Sequence, residues 1–127
     1  MLTQINTKDA PGAVGPYSQA IRYGELLFTA GQIPLDAQTG EIVGNDVTAQ
    51  AHKVLQNLGA VLKAGGADFD KVVKTTCFLT TMADFAAFNE VYTSYFTADP
   101  KPARSTVAVR ELPRGVLCEV EAVAVVK

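Results

Sequence analysis

VLCEVEAVAVV, residues 116–126, decides the fold because both faces of the strand that it predicts carry apolar side chains. Successive side chains in a strand point to opposite sides of the sheet. The first face combines glutamates with aliphatic side chains: Leu117, Glu119, Glu121, Val123 and Val125. The second face carries only small or aliphatic side chains: Cys118, Val120, Ala122, Ala124 and Val126. A strand of this composition has to be covered on both sides.

The first half of the chain predicts a hairpin followed by a long helix. The segment SQAIRYGELLFTAGQIP (18–34) is typical of two short strands that turn at residues 23–25. Farther along, apolar residues recur at helical spacing after Asn45 or Asp46, either of which is a good N-cap, until the glycines 65–66 end the pattern. This region therefore predicts an amphipathic helix with one apolar stripe.

The second half predicts a strand, a second helix and another strand before the final one. KVVKTTCFLT (71–80) has the β-branched density of a strand, and Thr81 with Asp84 resembles a capping box that opens the second helix. Two prolines end that helix before the RSTVAV run (104–109). An aromatic stripe on the helix is more typical of core packing than of a stacking surface for a cofactor or a base. Its members are Phe85, Phe88, Tyr92, Tyr95 and Phe96.

These elements follow the order β-β-α-β-α-β-β, which predicts a single α+β domain over residues 1–127. The helices would act as crossovers between strands of one sheet and would lie together on one of its faces. Two helices cannot cover the other face as well. We therefore expect the uncovered face to pack against another copy of the chain, which predicts a homo-oligomer.

Composition and charge narrow the classes of partner. A formal net charge of −2 provides no basic surface for a phosphate backbone, so no nucleic-acid partner is expected. No segment approaches the roughly 20 apolar residues of a membrane span, and the first residues lack the pattern of a targeting peptide. We expect no membrane association and a cytoplasmic location, or an organellar one if a leader was removed.

The residues that most often carry metal or nucleophilic chemistry are scarce. Cys77 and Cys118 lie in apolar strand-like runs and are typical of small buried hydrophobic residues. His52, the one histidine, lies on the predicted first helix and cannot supply a multi-histidine metal site. These residues predict neither a metal site nor a redox role.

Arg104 opens a strand that alternates toward valine, and its planar donor fork allows two interpretations. It suits a bidentate contact with the carboxylate of a small acid. It equally suits an ion pair with Glu119 or Glu121 of the final strand, which we expect to lie alongside. A partly buried glutamate beside a fixed arginine could activate a water, so the residues indicate an acid-binding pocket that either hydrolyses its ligand or only binds it.

Several separated blocks, in this order and at these separations, resemble the RidA family, also called the YjgF family. They are GPYSQAI (15–21), TAGQIP (29–34), VVKTTCFL (72–79), PARSTVAV (102–109) and EVEAVAV (119–125). The resemblance implies a chorismate-mutase-like fold and a homotrimer with a central barrel and clefts between subunits. It implies a 2-iminobutanoate/2-iminopropanoate deaminase, which hydrolyses enamines and imines released by pyridoxal-phosphate enzymes to 2-oxo acids and ammonia. Neither a cofactor nor a metal is implied.

By matching positions, the resemblance also implies roles for individual residues. Arg104 would hold the substrate carboxylate, and Glu119 would position the attacking water, whereas Glu121 would be structural. Tyr17 would close the pocket, and the backbone amide of Gly31 would approach the ligand.

Further positions bear on substrate preference. Asn89 and Thr106 match pocket neighbours of the family, although many relatives carry a cysteine where this chain has Thr106. Ala30 stands where the family often has a serine, so a hydroxyl contact is missing. The expected ligand is a small imino or 2-oxo acid, and these departures leave its identity open.

Two other functions fit parts of the pattern. The same cleft could bind a 2-oxo acid and report it to a partner enzyme without catalysis, since an anchoring arginine serves both purposes. A ribonuclease or translation-inhibitor role is attached to some relatives, but the chain offers no basic stripe and no histidine-based acid-base pair for it.

Overall fold

In the computed structural model, which describes residues 1–126, one mixed sheet of six strands carries two helices on a single face. The strands are β1 (Leu2–Ile5), β2 (Ala20–Tyr23), β3 (Leu26–Thr29), β4 (Val72–Leu79), β5 (Ala103–Ala108) and β6 (Cys118–Val125). The helices are α1 (Val47–Ala64) and α2 (Phe85–Tyr95). Lys127, the last residue of the predicted domain, lies outside the described residues.

The strands lie in the order β1-β2-β3-β6-β4-β5. β4 and β5 run parallel to each other, and the other neighbouring strands of the described sheet are antiparallel. α1 connects β3 to β4 across the inserted β6, and α2 connects β4 to β5, so both helices are crossovers. The predicted α+β class, with a mixed sheet and both helices on one face, is confirmed.

β6 lies between β3 and β4 and shows the alternation that its sequence predicts. On the helix face, Cys118, Val120, Ala122 and Ala124 are at most 3% exposed. The residues between them are half-buried and point to the other face. The final strand therefore forms the middle of the sheet and contributes side chains to both faces.

α1 begins and ends where the sequence predicts. The Asp46 carboxylate accepts a hydrogen bond from the backbone N–H of Ala49 at 2.9 Å, and Gly65 caps the other end. The apolar stripe of the helix is buried, as expected from its spacing. The members of that stripe are Val47, Ala51, Val54, Leu55, Leu58, Val61 and Leu62.

α1 also buries two polar side chains that the apolar pattern did not predict. The Asn57 amide donates to the backbone carbonyls of Ile33 and Leu35 at 3.1 and 3.0 Å. The Gln50 side-chain oxygen accepts from the N–H of Leu117 at 2.8 Å. Since a buried amide is costly unless it is hydrogen-bonded, these two residues fix the loops that lead into and out of the sheet.

The capping box predicted at Thr81 and Asp84 does not form. The Thr81 hydroxyl accepts from the N–H of Ala83 at 3.2 Å and caps a short 3₁₀ turn, Met82–Asp84. α2 begins after that turn, and the Asp84 side chain makes no capping hydrogen bond. The prediction was wrong because the chain makes this tighter turn before the α-helix starts.

The aromatic stripe of α2 belongs to the core only in part. Phe88, Tyr92 and Phe96 are at most 7% exposed, whereas Phe85 and Tyr95 pack against the core while remaining partly exposed. The rings of Phe85 and Tyr95 are therefore partly accessible from outside the core. Among residues 1–126, no helix combines the length and the apolar composition that a membrane crossing requires.

The N-terminal hairpin is confirmed, but a strand before it was missed. Gly24 has a φ of 60° at the first position of the β2–β3 turn, which is where a type II′ hairpin turn takes a glycine. β1 pairs antiparallel with β2 at the edge of the sheet. Its four residues, LTQI, carry only two apolar side chains, and they form a strand through that pairing.

The sheet face opposite the helices is uncovered in the single chain and carries large apolar side chains. Their exposed fractions range from 41% to 68%: Leu2, Tyr23, Leu26, Phe28 and Val107. Strand register places them on the same face as Glu119, Glu121, Val123 and Val125 of β6. An apolar face of this kind is typical of an interface, and the homo-oligomer stays a prediction.

Candidate functional site

Arg104 lies on β5 with its guanidinium directed at α2. Its Nη1 donates to the side-chain oxygen of Asn89 at 2.7 Å. Its Cζ lies 4.6 Å from the ring centre of Tyr92 and 5.4 Å from that of Phe85. Contacts between a guanidinium and an aromatic face contribute about 0.5–2 kcal/mol. We call Arg104 and these three uncharged neighbours the anchor site.

The charge of Arg104 has no carboxylate partner among the residues that the structure describes. The ion pair among these residues joins Lys101 Nζ to Asp99 Oδ1, 3.3 Å apart, on the surface. Arg104, Asn89, Tyr92 and Lys101 line a shallow cavity of about 390 Å³. A partly buried guanidinium with neutral partners retains donors that match an anion, so this cavity is a candidate carboxylate site.

Glu119 lies in a second cavity, of about 620 Å³, which we call the glutamate cavity. Tyr17, Gly31 and several apolar side chains line it. Burial, and to a lesser extent the charge of Glu121, raises the pKa of Glu119 above its ordinary value. A carboxylate with a raised pKa is a better proton acceptor, so Glu119 has the electrostatic character of a general base.

Glu119 approaches Gly31 so closely that a side chain at this position would meet the Glu119 carboxylate. A Cβ added at position 31 would overlap the Glu119 carboxylate and would lie 2.9 Å from its Cδ. The backbone of Gly31 is outside the left-handed region, so the constraint at this position is one of space. Any side chain at this position would move the Glu119 carboxylate.

Tyr17 is 53% exposed and lies on the loop between β1 and β2, at the glutamate cavity. Gln19, which is 2% exposed, fixes this loop. Its Oε1 accepts from the N–H of Thr7 at 2.7 Å, and its Nε2 donates to the carbonyls of Thr7 and Pro11 at 3.1 and 2.8 Å. Gln19 was not among the predicted site residues, although a polar residue directly before a predicted strand was a usable signal.

Thr106 follows Arg104 on the same side of β5 and pairs in register with the buried Cys77. Its Oγ1 is buried and has no hydrogen-bond partner among the described residues. A buried hydroxyl without a partner costs free energy unless another group satisfies it. The substrate contact expected of Thr106 stays a prediction.

Arg104 and Glu119 do not meet within one chain. β4 lies between their strands, and the register pairs Arg104 with Thr75 and Glu119 with Phe78. Thr75 is buried beneath the helices, whereas Phe78, three residues on, points to the other face. The interpretation of Arg104 in an ion pair with Glu119 or Glu121 of its own chain is wrong, because the strands are not neighbours and the side chains lie on opposite faces.

The predicted site residues therefore fall into two groups. Around β5 and α2 lie Arg104, Asn89 and Thr106; around β6 lie Glu119, Tyr17 and Gly31.

Arg114 adds a cation to the lining of the glutamate cavity and was not among the predicted site residues. Its Nη1 donates to the carbonyl of Gly40 at 2.6 Å, and its backbone has a φ of 58°. A residue with a Cβ in the left-handed region is strained by roughly 1–2 kcal/mol. The turn residues Pro113 and Gly115 on either side of it were the available signal.

The cysteines and the histidine take no part in either cavity. Burial raises the pKa of Cys77 to about 11 and that of Cys118 to about 12, so both free thiols stay protonated near neutral pH. Their predicted burial is confirmed. His52 is exposed, and its Nδ1 lies 3.1 Å from the Tyr95 hydroxyl. Within residues 1–126, no group of three or more His, Cys, Asp or Glu side chains is arranged to hold a metal ion.

Comparisons with known proteins connect this arrangement to a family. A family model described as Endoribonuclease L-PSP matches residues 7–126. The RutC family protein y4sK of Sinorhizobium fredii is 51% identical over 123 residues, which are 97% of each chain. The mouse 2-iminobutanoate/2-iminopropanoate deaminase is 46% identical over 121 residues, 95% of this chain and 89% of its own.

A solved structure of E. coli TdcF with bound serine matches with a TM-score of 0.92 and 44% identity, covering 98% of this chain and 99% of that one. The family model and these identities agree with the resemblance that the sequence blocks carry. The chain belongs to the endoribonuclease L-PSP family, which is the RidA/YjgF family.

Proposed function

We propose that the chain is a 2-iminobutanoate/2-iminopropanoate deaminase, which hydrolyses reactive imines and enamines to 2-oxo acids and ammonia. The observation that carries the proposal is the Arg104 guanidinium, which is oriented by neutral groups and has no carboxylate partner among the described residues. The 46% identity to the mouse deaminase supports this reaction. The serine bound to TdcF, a 44% identical relative, supports a small acid as the ligand.

In the proposed mechanism, Arg104 binds the substrate carboxylate and fixes the adjacent imine carbon. Glu119 takes a proton from a water as the water oxygen attacks that carbon. The nitrogen takes up that proton to give a carbinolamine and then receives the proton of the added hydroxyl. The C–N bond breaks as the C=O bond forms, and ammonia leaves. One imine and one water give one 2-oxo acid and one ammonia, so no oxidant and no covalent nucleophile are required.

This chemistry asks for modest catalytic power. General acid-base catalysis contributes about 10²–10⁴-fold, and fixing the substrate beside the water adds a further advantage. In the proposal, Tyr17 closes the pocket, the backbone of Gly31 contacts the ligand, and Thr106 lies beside the bound carboxylate. Asn89 acts through its contact with the Arg104 guanidinium.

We also propose that the complete site forms between subunits of a homotrimer with a central barrel. The anchor site of one subunit would face the glutamate cavity of the next, since the two lie apart within a chain. The apolar side chains on the uncovered sheet face support such an assembly. The cytoplasmic location stays a prediction.

The test generates the imine from threonine with a threonine dehydratase and includes semicarbazide to trap the free imine. 2-Oxobutanoate release is measured with and without the protein, and with the Arg104→Ala variant. We expect the wild type to accelerate release and to suppress the semicarbazone, and the variant to do neither. No acceleration by the wild type would overturn the deaminase.

A non-catalytic sensor of small carboxylates is the second candidate, because serine in TdcF is consistent with binding alone. Glu119→Gln separates the two. Loss of turnover with retained 2-oxobutanoate binding supports the enzyme. A wild type that binds 2-oxobutanoate and turns over no imine supports the sensor.

A further inference from the structure

Arg104 is held by one row of side chains on α2. Phe85, Asn89 and Tyr92 are spaced by four and three residues, so they share one face of the helix. Each of them contacts the guanidinium, two through a ring face and one through an amide oxygen. The row carries no charge, although it surrounds a permanent cation.

The ring of Tyr92 is itself fixed from two directions. Its hydroxyl and the Thr75 Oγ1 are 2.8 Å apart in a buried hydrogen bond. Phe96 stacks on it with ring centres 4.3 Å apart and planes 23° apart. Burial raises the pKa of Tyr92, which keeps the phenol neutral. Arg104 therefore rests on a rigid, uncharged ring in the core.

The chemistry of the row has a consequence for the anion that Arg104 can bind. An aspartate or glutamate in contact would also stabilise a partly buried guanidinium, but it would neutralise the charge and occupy the donors that a ligand needs. Aromatic faces attract the cation without using its N–H groups. The Asn89 oxygen occupies one Nη and leaves other donors free.

We propose that Phe85, Asn89 and Tyr92 form a neutral cradle that orients Arg104 and keeps its charge available to the substrate carboxylate. Tyr92 and Phe85 are positioning residues that act through Arg104. The inference rests on the proposed function and deepens it. It attributes the affinity of Arg104 for a carboxylate to the absence of charged side chains on the face of α2 that Arg104 contacts.

The decisive variant is Asn89→Asp, which changes an amide into a carboxylate of nearly the same size beside the guanidinium. Binding of 2-oxobutanoate is measured by calorimetry, KM and kcat by imine turnover, and Tm by thermal unfolding. We expect Kd and KM to rise by about tenfold or more, because an internal ion pair competes with the ligand, while Tm stays the same or rises. Ala86→Asp adds the same charge at an exposed position of α2 and is the matched control.

A second pair of variants tests the ring. Tyr92→Leu removes the aromatic face, and Tyr92→Phe keeps it while removing the hydrogen bond to Thr75. We expect KM to rise by about tenfold in the first and by less than about threefold in the second, with kcat changing less than KM.

The outcomes separate this inference from the proposed function. Wild-type affinity in Asn89→Asp would overturn the neutral cradle, as would equal KM changes in Asn89→Asp and Ala86→Asp. A wild type that binds 2-oxobutanoate without turning over imine would overturn the deaminase and leave the cradle standing. No binding of 2-oxobutanoate by the wild type would overturn the cradle along with the anchor.

Discussion

The anchor site and the glutamate cavity differ in almost every physical respect. The anchor site borders a shallow cavity of about 390 Å³ at an edge strand, and the charged group that it offers is a permanent cation. The glutamate cavity is larger, about 620 Å³, lies on the central strand and holds a carboxylate whose pKa is raised by burial. The first suits binding of an anion, and the second suits proton transfer.

In the proposed site these two regions are half-sites, because within one chain Arg104 and Glu119 lie on opposite faces of the sheet. Arg104 faces the helices, and Glu119 lies on the other side of the sheet. The helices pack on the face that Arg104 shares, while the opposite face is uncovered. The proposed reaction therefore depends on how subunits are combined.

The largest expected effect comes from mixing two inactive variants. Arg104→Ala and Glu119→Gln should each lower kcat/KM by about 10²-fold or more, since one loses the anchor and the other the base. Refolding them together in equal amounts should restore about a quarter of the wild-type activity, the fraction of shared sites with both groups intact. A mixture as inactive as its components would contradict a site shared between subunits.

The next effect concerns the uncovered face. Phe28→Glu places a charge on an apolar patch where the native ring is 44% exposed, and burying it between subunits would cost several kcal/mol. We expect sedimentation at micromolar concentration to show a monomer, with turnover lost. Met82→Glu, at a side chain 50% exposed outside the sheet, is the control and should leave the assembly intact.

A smaller effect is expected in the glutamate cavity alone. Gly31→Ala should push the Glu119 carboxylate aside, because the added Cβ overlaps it, and should lower kcat by about 10- to 100-fold with little change in Tm. Gly12→Ala adds a Cβ with nothing within 4 Å and should retain most of the activity. Equal kcat values for the two variants would mean that the Glu119 position does not limit turnover.

The smallest effect is a shift of the pH profile. Glu119 must be ionised to accept a proton, and its pKa is raised. As the pH is lowered, kcat/KM should therefore begin to fall at a pH above about 4.3, the ordinary pKa of a glutamate. Glu121→Gln removes the second cause of the shift and should move this acid limb to lower pH. If the acid limb of the profile stays in place in Glu121→Gln, that limb belongs to a group other than Glu119.

The raised pKa also fixes the sign of a stability effect. An ionised Glu119 destabilises the folded subunit, so the cost is absent below the unfolded-state pKa and grows as pH rises through the folded-state value. Glu119→Gln should therefore unfold at a higher temperature than the wild type near neutral pH, and the difference should vanish under acidic conditions.

Local sequence patterns predicted the helices and strands that depend only on residues close to them in the chain. The apolar spacing and caps of α1, and the alternation of β6, lie within a few residues of each other and required no knowledge of the rest of the chain. β1 was not predicted because its four residues become a strand only through pairing with β2. The capping box at Thr81 failed because the same residues also permit a 3₁₀ turn.

The candidate site was predicted as a set of residues and not as an arrangement. Arg104 and Glu119 were identified, but their separation depends on the insertion of β4 between β5 and β6, which is a property of strand order. The role of Tyr92 was hidden because an aromatic residue on a helix predicts core, and Tyr92 is in the core as well as against Arg104.

The shape of the glutamate cavity at its entrance depends on which atoms of Gln19 donate hydrogen bonds and which accept them. Its Nε2 points at the carbonyls of Thr7, Ala10 and Pro11, at 3.1, 3.4 and 2.8 Å. A glutamate has the same shape, but it would turn lone pairs toward lone pairs and repel the loop that it should hold. The polarity of one amide, more than its volume, thus sets the shape of the opening beside Tyr17.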